Sequence, residues 1–518
     1  MPTDIPITGI VSNFRVPGGY AEILMAQGAA TVGSGERAVC FSMPMLSTGS
    51  WTTATLYEID NEQDAIDGAG AGSPLHRAVR KFLQINKSTR LYALPVAETT
   101  AGSPAAGTFA VTWTTDPGAS GKTWVKVCDE TVEYSFTSSD TVTTIATAIK
   151  NLINNKTHLP VTANNSSGVL TITAKLKGIS QGNGTLDVLQ VRTYIDPGVT
   201  TTVSASGAVG DTVAGAEGST TEAAQLATAL AAIDNRRIYY IVCQSNDATG
   251  LGNLKTHITN KSVPKVGLRS VGIGAYTGAL AGAQTIANGL NDERMHLVWQ
   301  ENSDHDTAEL AAAFAAIQAK HTVTDYTYNF AGYRNGGGRN WTINAQHLTA
   351  DYPSADDQND AINDGITAIA SDGSGSYVVM SVNTRSKDSS GTYDDFRATE
   401  THRLSECDSW TDRRLAEWQL NYSGKKLADD ELLADGTFNP NQKQIPGVIR
   451  PRQHLKPWLA NAIVNDENLG HLQDSAASIE ALTVIKSKTN SSRASASVDL
   501  HVIDHAHQFT MRVAEVSN

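Results

Sequence analysis

The spacing of apolar positions divides the chain into regions, and the first region has a β-α-β pattern. Residues 37–42 form a short apolar run typical of a buried strand. Ser73-Pro74 predicts the start of a helix, because serine is a good N-cap and proline fits the first turn. Residues 90–95 resemble a second strand. Between the two strands, helical spacing places four apolar residues on one face: Leu75, Val79, Phe82 and Leu83.

Residues 98–208 have the pattern of a self-contained, inserted β-rich domain of the α+β type. One amphipathic helix interrupts its strands, and we expect Ser139 or Asp140 to cap that helix. Small polar stretches with glycine and serine or proline flank the region, as expected at domain boundaries. The apolar side of the helix carries Val142, Ile145, Ile149, Leu152 and Ile153, and the predicted strands are residues 108–113, 123–127, 131–136 and 169–175.

Beyond residue 208, strands and helices alternate. The run at residues 238–243 is apolar throughout, which is typical of a strand covered on both faces. Asp306 with Glu309 resembles a capping box that opens an alanine-rich helix, and residues 377–383 predict a further strand. This rhythm predicts an α/β fold with a doubly wound core sheet and right-handed crossovers. The core domain comprises residues 33–97 and 209–384.

Residues 385–490 are predicted to form a C-terminal α+β domain. A long helical pattern covers residues 397–427, and Pro451 leads towards a second helix. Residues 487–497, at the end of this region, are polar and low in complexity, like a flexible lead-in.

Both chain ends are predicted to be extended arms. Residues 1–32 contain proline and glycine breakers between short apolar runs, which indicates an arm without its own core. Residues 491–518 contain two amphipathic strands. Isolated strands are not stable alone, so these must join a sheet, and joining a neighbour's sheet would link subunits. One strand places Val498, Leu500 and Val502 on one face, and the other places Phe509, Met511 and Val513 on one face.

Charge and composition narrow the function classes. The chain has 518 residues and a net charge of −13, which repels nucleic-acid phosphates unless basic residues are segregated. The nearest basic patch is short and broken by prolines, so direct nucleic-acid binding is not expected. This patch consists of Arg450, Arg452, His454 and Lys456.

Cysteine spacing and hydropathy indicate a protein of the cytoplasm without metal-binding cysteines. None of the four cysteines forms a C-x-x-C pair. The N-terminus lacks the basic and apolar parts of a signal peptide, and no run of 18 apolar residues occurs. Membrane insertion is therefore not expected.

Two glycine-rich motifs could suggest a nucleotide site. Residues 33–38 fit G-x-G-x-x-A, but this motif precedes a strand instead of following one, so we interpret it as a turn. The glycines at 336–338 are not followed by G-K-[ST], so we interpret them as a loop tip. The G-x-S-x-G stretch at residues 178–182 precedes no predicted helix, so it is not interpreted as the nucleophile elbow of a hydrolase.

Three polar clusters could suggest metal or catalytic chemistry. Residues 304–306, Asp-His-Asp, are interpreted as a helix cap. His501, His505 and His507 allow metal ligation, but we favour hydrogen-bonding histidines at a strand turn. The aspartates between residues 351 and 360 lack the glycine of a calcium loop, so we expect a solvated loop leading to a helix. No catalytic residue, cofactor or metal ligand is assigned.

Two segments near the end of the chain carry the most specific likeness to a known family, V-D-L-H-V-I-D at 498–504 and H-Q-F-T-M-R-V at 507–513. They resemble the end of the tail sheath proteins of Mu-like contractile phages (the myovirus tail sheath family). Near the start, R-V-P-G-G-Y at 15–20 is similar to the family's R-V-P-G-x-Y segment. Residues 326–360 depart from the family. Further similar stretches lie at 91–95, 159–163 and 170–178.

The resemblance implies a structural subunit. Six copies would form a ring, and rings would stack helically around a tail tube in a sheath that shortens when triggered. Arms of neighbouring subunits would complete a sheet in another subunit's C-terminal domain, with Val16, Tyr20 and Ile23 in the N-terminal arm. Implied partners are further copies, the tail tube protein, and the baseplate and tail terminator proteins. The implied location is the virion tail, after assembly in the bacterial host's cytoplasm, and no cofactor is implied.

Two alternative functions remain open at this point. The α/β core is compatible with a hydrolase, although no strand-to-helix nucleophile elbow is predicted for one. A passive tail tube or baseplate component is the other alternative. Tubes are usually built from smaller, mostly β subunits, so the length and α/β rhythm of this chain argue against it.

Overall fold

A computed structural model describes residues 37–103, 105–178, 191–197, 199–205, 216–233, 236–335, 341–346, 348–385, 400–435 and 437–506. The fold is mixed α/β with several sheets, as the sequence predicts. None of the described helices is long and apolar enough to span a membrane.

The largest sheet has eight strands and draws on both predicted parts of the core domain. The strands are β1 (Val39–Pro44), β2 (Tyr57–Ile59), β3 (Leu91–Val96), β11 (Tyr240–Cys243), β12 (Val271–Tyr276), β13 (Met295–Trp299), β14 (Thr367–Asp372) and β15 (Gly375–Val378). Their order is β15-β14-β13-β12-β11-β1-β3-β2, with a parallel centre and antiparallel strands at the two edges. The central strands are buried along their whole length, because helices cover both faces.

Two hydrophobic clusters lie on opposite faces of this sheet. Along β1, Val39 and Phe41 enter one cluster, whereas Cys40 enters the other. This alternation follows from the two-residue period of a strand. The core helices are α1 (Glu62–Ala69), α2 (Pro74–Ile85), α4 (Glu222–Leu230), α5 (Ala248–Ser262), α6 (Leu280–Leu290), α7 (Thr307–His321) and α8 (Ala355–Asn363).

Helices α2 and α7 pack on the same face and begin as the sequence predicts. Ser73 accepts from the backbone N–H of His76, and Asp306 accepts from that of Glu309. The reciprocal half of the capping box differs, because the Glu309 carboxylate faces His305 and Arg77. Residues 307–319 of α7 are buried on all sides, and its many alanines allow close packing.

The inserted region folds around its own hydrophobic cluster. Its elements are β4 (Thr108–Trp113), β5 (Gly121–Val127), β6 (Glu130–Phe136), α3 (Val142–Asn155), β7 (Val161–Ser166), β8 (Val169–Ala174), β9 (Val191–Ile195) and β10 (Val203–Ala205). They form a four-stranded sheet of order β10-β4-β8-β7 and a three-stranded sheet of order β6-β5-β9. Thr141 caps α3, not Ser139 or Asp140, and Leu152 is exposed. Asp140 instead accepts from the backbone N–H of Thr137.

The chain leaves the core and returns to it through a narrow neck. Antiparallel bridges join Thr100 to Thr220 and Ala105 to Ala216. The two segments that connect the inserted region to the core therefore run side by side.

The C-terminal region has helices α9 (Thr401–Asn421), α10 (Lys456–Asn468) and α11 (Ser475–Ala481). Its described strands form three separate two-stranded ladders. These pair β16 (Lys426–Leu427) with β17 (Val448–Ile449), β18 (Leu472–Gln473) with β21 (His501–Val502), and β19 (Thr483–Lys486) with β20 (Ala494–Ser497).

Two predicted segments differ in the structure. In place of the strand expected at 377–383, the structure has β15, which ends at Val378. This strand pairs antiparallel with β14, a pairing that the sequence pattern did not predict. The expected flexible lead-in at 487–497 contains β20, which forms a hairpin with β19. This hairpin spans the predicted domain boundary between residues 490 and 491. Cross-strand pairing, which a composition pattern does not show, accounts for both differences.

Burial in the core gives a direct stability test. Leu75 in α2 is fully buried, so Leu75→Ala should lower the free energy of unfolding by about 2–5 kcal/mol through lost transfer energy and a cavity. Leu152→Ala in α3 is a matched control, since Leu152 is 37% exposed. Urea unfolding of both variants measures the difference. Equal losses for the two variants would contradict the assignment of Leu75 to the core.

Candidate functional site

The C-terminal ladders are the first part of the candidate assembly site. Among residues 400–435 and 437–506, each of the six strands pairs with one other strand. Every ladder therefore presents edges without a paired strand. Two-stranded ladders are marginally stable alone, and free edges accept further strands. This arrangement can bind an extended segment by main-chain hydrogen bonding.

The predicted joining residues of the C-terminal end lie partly within this region. Leu500 and Val502 are buried in the C-terminal hydrophobic cluster, and Val498 packs against it. The three side chains thus share a face, although regular strand pairing covers only His501–Val502, opposite Leu472–Gln473. The joining role itself stays a prediction. The other predicted joining residues lie outside the described residues: Val16, Tyr20, Ile23, Phe509, Met511 and Val513.

Exposed apolar side chains are the second part of the candidate assembly site. Half of the large apolar side chains that are exposed among the described residues belong to the C-terminal region. Leu420, at the end of α9, is 84% exposed. Apolar surface of this kind often marks a contact with another protein. The six residues are Leu420, Leu432, Leu433, Ile445, Val464 and Leu469.

A row of arginines joins the core sheet to helix α9. Arg294 donates two hydrogen bonds to the Asp408 carboxylate, at 2.8 and 2.9 Å. The Nε of Arg269 lies 3.8 Å from the same carboxylate, and its guanidinium also pairs with Asp412. Each arginine lies one or two residues before a central strand. The amino ends of the parallel strands therefore present positive charge to one face of α9.

Arg37 and Tyr239 extend this row. Arg37 donates to the Oγ of Ser405 at 2.9 Å and to its carbonyl oxygen at 3.0 Å. Its guanidinium lies 4.4 Å from the centre of the Tyr239 ring, and the Tyr239 hydroxyl donates to Asp408 at 3.0 Å. We call the set Arg37, Arg237, Tyr239, Arg269 and Arg294, with Ser405, Asp408 and Asp412 of α9, the arginine row.

The electrostatics of Asp408 show why this contact is strong. Burial disfavours the charged carboxylate, but Arg294 and Arg269 outweigh burial and hold the pKa of Asp408 below its usual range. The sequence pattern does not predict a role for these residues. A signal was present, because an arginine stands just before several of the apolar strands. Only the fold shows that these arginines lie together at the amino ends of neighbouring strands.

Removal of the central carboxylate should destabilise the protein strongly. Asp408→Asn leaves Arg294 and Arg269 buried with less negative charge, so we expect a loss of about 3–5 kcal/mol in the free energy of unfolding. Thermal and urea unfolding measure it. Asp499→Asn is the matched control, because Asp499 is exposed. A loss no larger than that of the control would show that the arginine row does not hold α9 in place.

A second buried carboxylate, Glu406, lies on α9 in a different environment. Its oxygens are 3.9 Å from Arg413 Nη2 and from His471 Nδ1, and neither oxygen has a hydrogen-bond partner among the described residues. Arg413 pairs instead with Asp466 at 2.9 Å. Burial raises the pKa of Glu406 to about 8, although the charge of Arg413 opposes this shift. Glu406 is therefore largely protonated near neutral pH.

This raised pKa gives stability a defined pH dependence. The native state retains a proton on Glu406 up to about pH 8, whereas the unfolded state loses it near the ordinary glutamate pKa of 4.5. Stability from this group is therefore complete below about pH 4.5 and falls as pH rises to about 8, by up to about 1.4 kcal/mol per pH unit. Glu406→Gln, which mimics the neutral acid, should flatten this slope and raise stability at the alkaline end.

Calorimetric unfolding at about pH 5, 6.5 and 8 measures the effect. Glu480→Gln is the matched control, because Glu480 is exposed and should leave the slope unchanged. An unaltered slope in Glu406→Gln would mean that Glu406 does not titrate in this window.

The carboxyl ends of the core strands, opposite the arginine row, contact the inserted region. Asp304, which follows β13, pairs with Lys126 and Arg192 of the inserted region. The Nδ1 of His305 lies 3.6 Å from an Asp129 oxygen. The predicted cap is confirmed for Asp306, but Asp304 and His305 also connect two parts of the fold, which the sequence did not indicate.

The other histidines and aspartates singled out from the sequence do not come together in one site, as far as the described residues show. His501 contacts Ser478 Oγ at 3.2 Å, and His505 Nε2 lies 2.7 Å from the Thr327 carbonyl oxygen, in keeping with hydrogen-bonding histidines. The aspartates near residue 356 open α8, whose N-cap is Ser354. His507, residues 33–36 and the glycines at 336–338 lie outside the described residues.

These features define an α/β core whose strands contact the C-terminal region at their amino ends and the inserted region at their carboxyl ends. No protein-family model matches the chain. It is 23% identical over 321 residues to a Mu-like prophage tail sheath protein of Haemophilus influenzae, across 62% of this chain. The alignment spans 63% of that relative's length. This match confirms the resemblance to the tail sheath proteins of Mu-like phages.

Two solved structures are similar to the chain at low sequence identity. One is a sheath tail protein from Desulfitobacterium hafniense, 13% identical, with 96% of this chain and 100% of that chain covered and a TM-score of 0.44. The other is a sheath tail protein from Listeria innocua, 13% identical, with 92% and 94% covered and a TM-score of 0.47.

Proposed function

We propose that the chain is the structural subunit of a contractile phage tail sheath. Copies form stacked hexameric rings around the tail tube, and contraction of the sheath drives the tube through the host envelope. The observation that carries this proposal is the likeness to a prophage tail sheath protein, combined with a C-terminal region of incomplete ladders. The ring of six and the contraction follow from the resemblance to tail sheath proteins.

Strand exchange between subunits is the proposed means of assembly. The predicted arms cover residues 1–32 and 491–518. Because residues 494–497 and 501–502 pair within the chain, the segments that pair with ladder edges of neighbouring copies are residues 1–32 and 507–518. Each added main-chain hydrogen bond contributes about 1 kcal/mol net, so a few residues per arm, repeated around a ring, hold the subunits together. The exposed apolar residues of the C-terminal region supply additional contact area.

The proposed partners are further copies of the chain, the tail tube protein, and the baseplate and tail terminator proteins. Assembly takes place in the host bacterial cytoplasm, and the product is part of the virion tail. The side chains at the carboxyl ends of the core strands support a structural role. In α/β enzymes these strand ends hold the active site, whereas here Asp304 and His305 face charged groups of the inserted region.

The N-terminal arm provides the assembly test. Purified full chain should form tubes or stacked rings at high concentration, visible by negative-stain electron microscopy. Replacement of Val16, Tyr20 and Ile23 together by aspartate should abolish these particles, because charged residues oppose docking of the apolar positions. The variant should remain a folded monomer by circular dichroism and size-exclusion chromatography, since the arm has no predicted core of its own.

The matched control places three aspartates at polar or small positions of the same arm, Ser12, Asn13 and Gln27, and should still assemble. If the full chain stays monomeric at high concentration, the sheath proposal is wrong. If the Val16, Tyr20 and Ile23 variant assembles like the control, only the role of the arm is wrong.

A further inference from the structure

Two groups of side chains among the described residues have donor sets suited to a metal ion, and they differ in their charged neighbours. The first comprises Asp129, His305 and Glu309. Here Arg77 Nη2 lies 3.2 Å from Glu309, and Lys81 Nζ lies 3.6 Å from Asp129. Two fixed cations already neutralise these carboxylates, so a third cation is disfavoured. We therefore interpret this group as an ion network between the core and the inserted region.

The second group is formed by Glu400, His402 and His505. One ligand atom from each residue lies within 4.8 Å of the ligand atoms of the other two. Glu400 and His402 are buried at the start of α9, and His505 is half-buried. The two histidine rings are 4.1 Å apart between their centres. The donors therefore converge from two segments that are far apart in sequence.

A small cavity at this point provides space for a ligand. The three residues line it together with Tyr328, Asn329, Phe330, Met380 and Ser381. Two of the cavity walls, Tyr328 and Phe330, are aromatic. Two imidazoles and a carboxylate are a frequent donor set for zinc, with a fourth position left for water or another ligand.

We propose that Glu400, His402 and His505 bind a divalent transition-metal ion of the zinc class. The ion joins the segment after β21 to the start of α9. His402 Nδ1 already lies 2.9 Å from a Glu400 oxygen, so two of the three donors are close together before an ion binds.

Both histidines make hydrogen bonds that compete with metal binding. His402 Nε2 lies 3.2 Å from the Ile503 carbonyl oxygen, and His505 Nε2 lies 2.7 Å from that of Thr327. An ion pair between Arg403 and Asp504 holds the same segment near α9. The segment is thus pre-positioned, and a metal ion adds a fixed link at its end. This link lies just before residues 507–518, the proposed C-terminal arm.

The test uses the full chain with any affinity tag removed, because a histidine tag binds the same ions. After dialysis against a chelator, Zn²⁺ is titrated by isothermal calorimetry, and Co²⁺ is added separately to record its ligand-field absorption. We expect one ion per chain and a cobalt spectrum typical of nitrogen and oxygen ligands. His505→Ala should lower Zn²⁺ affinity at least about tenfold while the chain stays folded, since His505 is only half-buried.

His501→Ala is the matched control, because His501 lies four residues before His505 and contacts Ser478 instead. It should leave Zn²⁺ affinity unchanged. The proposal is overturned if no stoichiometric Zn²⁺ binding occurs, or if His402→Ala and His505→Ala both bind Zn²⁺ like the unaltered chain. Metal binding is measured on the chain in solution, so failure of this proposal and failure of the sheath proposal are distinguishable.

Discussion

The interaction on which the arrangement of this protein most depends is the arginine row between the core sheet and α9. Parallel strands place their amino ends along one edge, and four arginines near those ends meet Ser405, Asp408 and Asp412 of one helix. Buried charges of this kind are favourable only when every partner is present, and loss of one partner is costly. The pairing therefore specifies one position of α9 on the core, and the rest of the C-terminal region packs around that helix.

The two ends of the core strands contact different parts of the chain. Their amino ends contact the C-terminal region through the arginine row, and their carboxyl ends contact the inserted region through Asp304 and His305. Both contacts are largely ionic, whereas the two faces of the sheet are apolar. Hydrophobic burial supplies most of the stability. The ionic contacts add direction, because charge pairs and hydrogen bonds tolerate little displacement.

Local patterns predicted much of the fold. Ser73, Pro74 and the apolar spacing after them were sufficient for α2, and apolar runs were sufficient for the central strands. Features that depend on distant partners were not predictable. The polar strand β20 exists because β19 pairs with it, and Asp408 has no local pattern that points to Arg294. The joining role of the arm residues stays a prediction, since Leu500 and Val502 pack in the chain's own C-terminal cluster and most other arm residues lie outside the described ranges.

The neck between the core and the inserted region has an evolutionary consequence. Because the outgoing and returning segments run side by side at Thr100 and Thr220, the distance that any intervening sequence must span is short and constant. A lineage can enlarge or shrink the inserted region without moving β3 or α4, provided that the residues facing Asp304 and His305 are kept. The parts of the inserted region away from these contacts are therefore free to diverge from one constant attachment point.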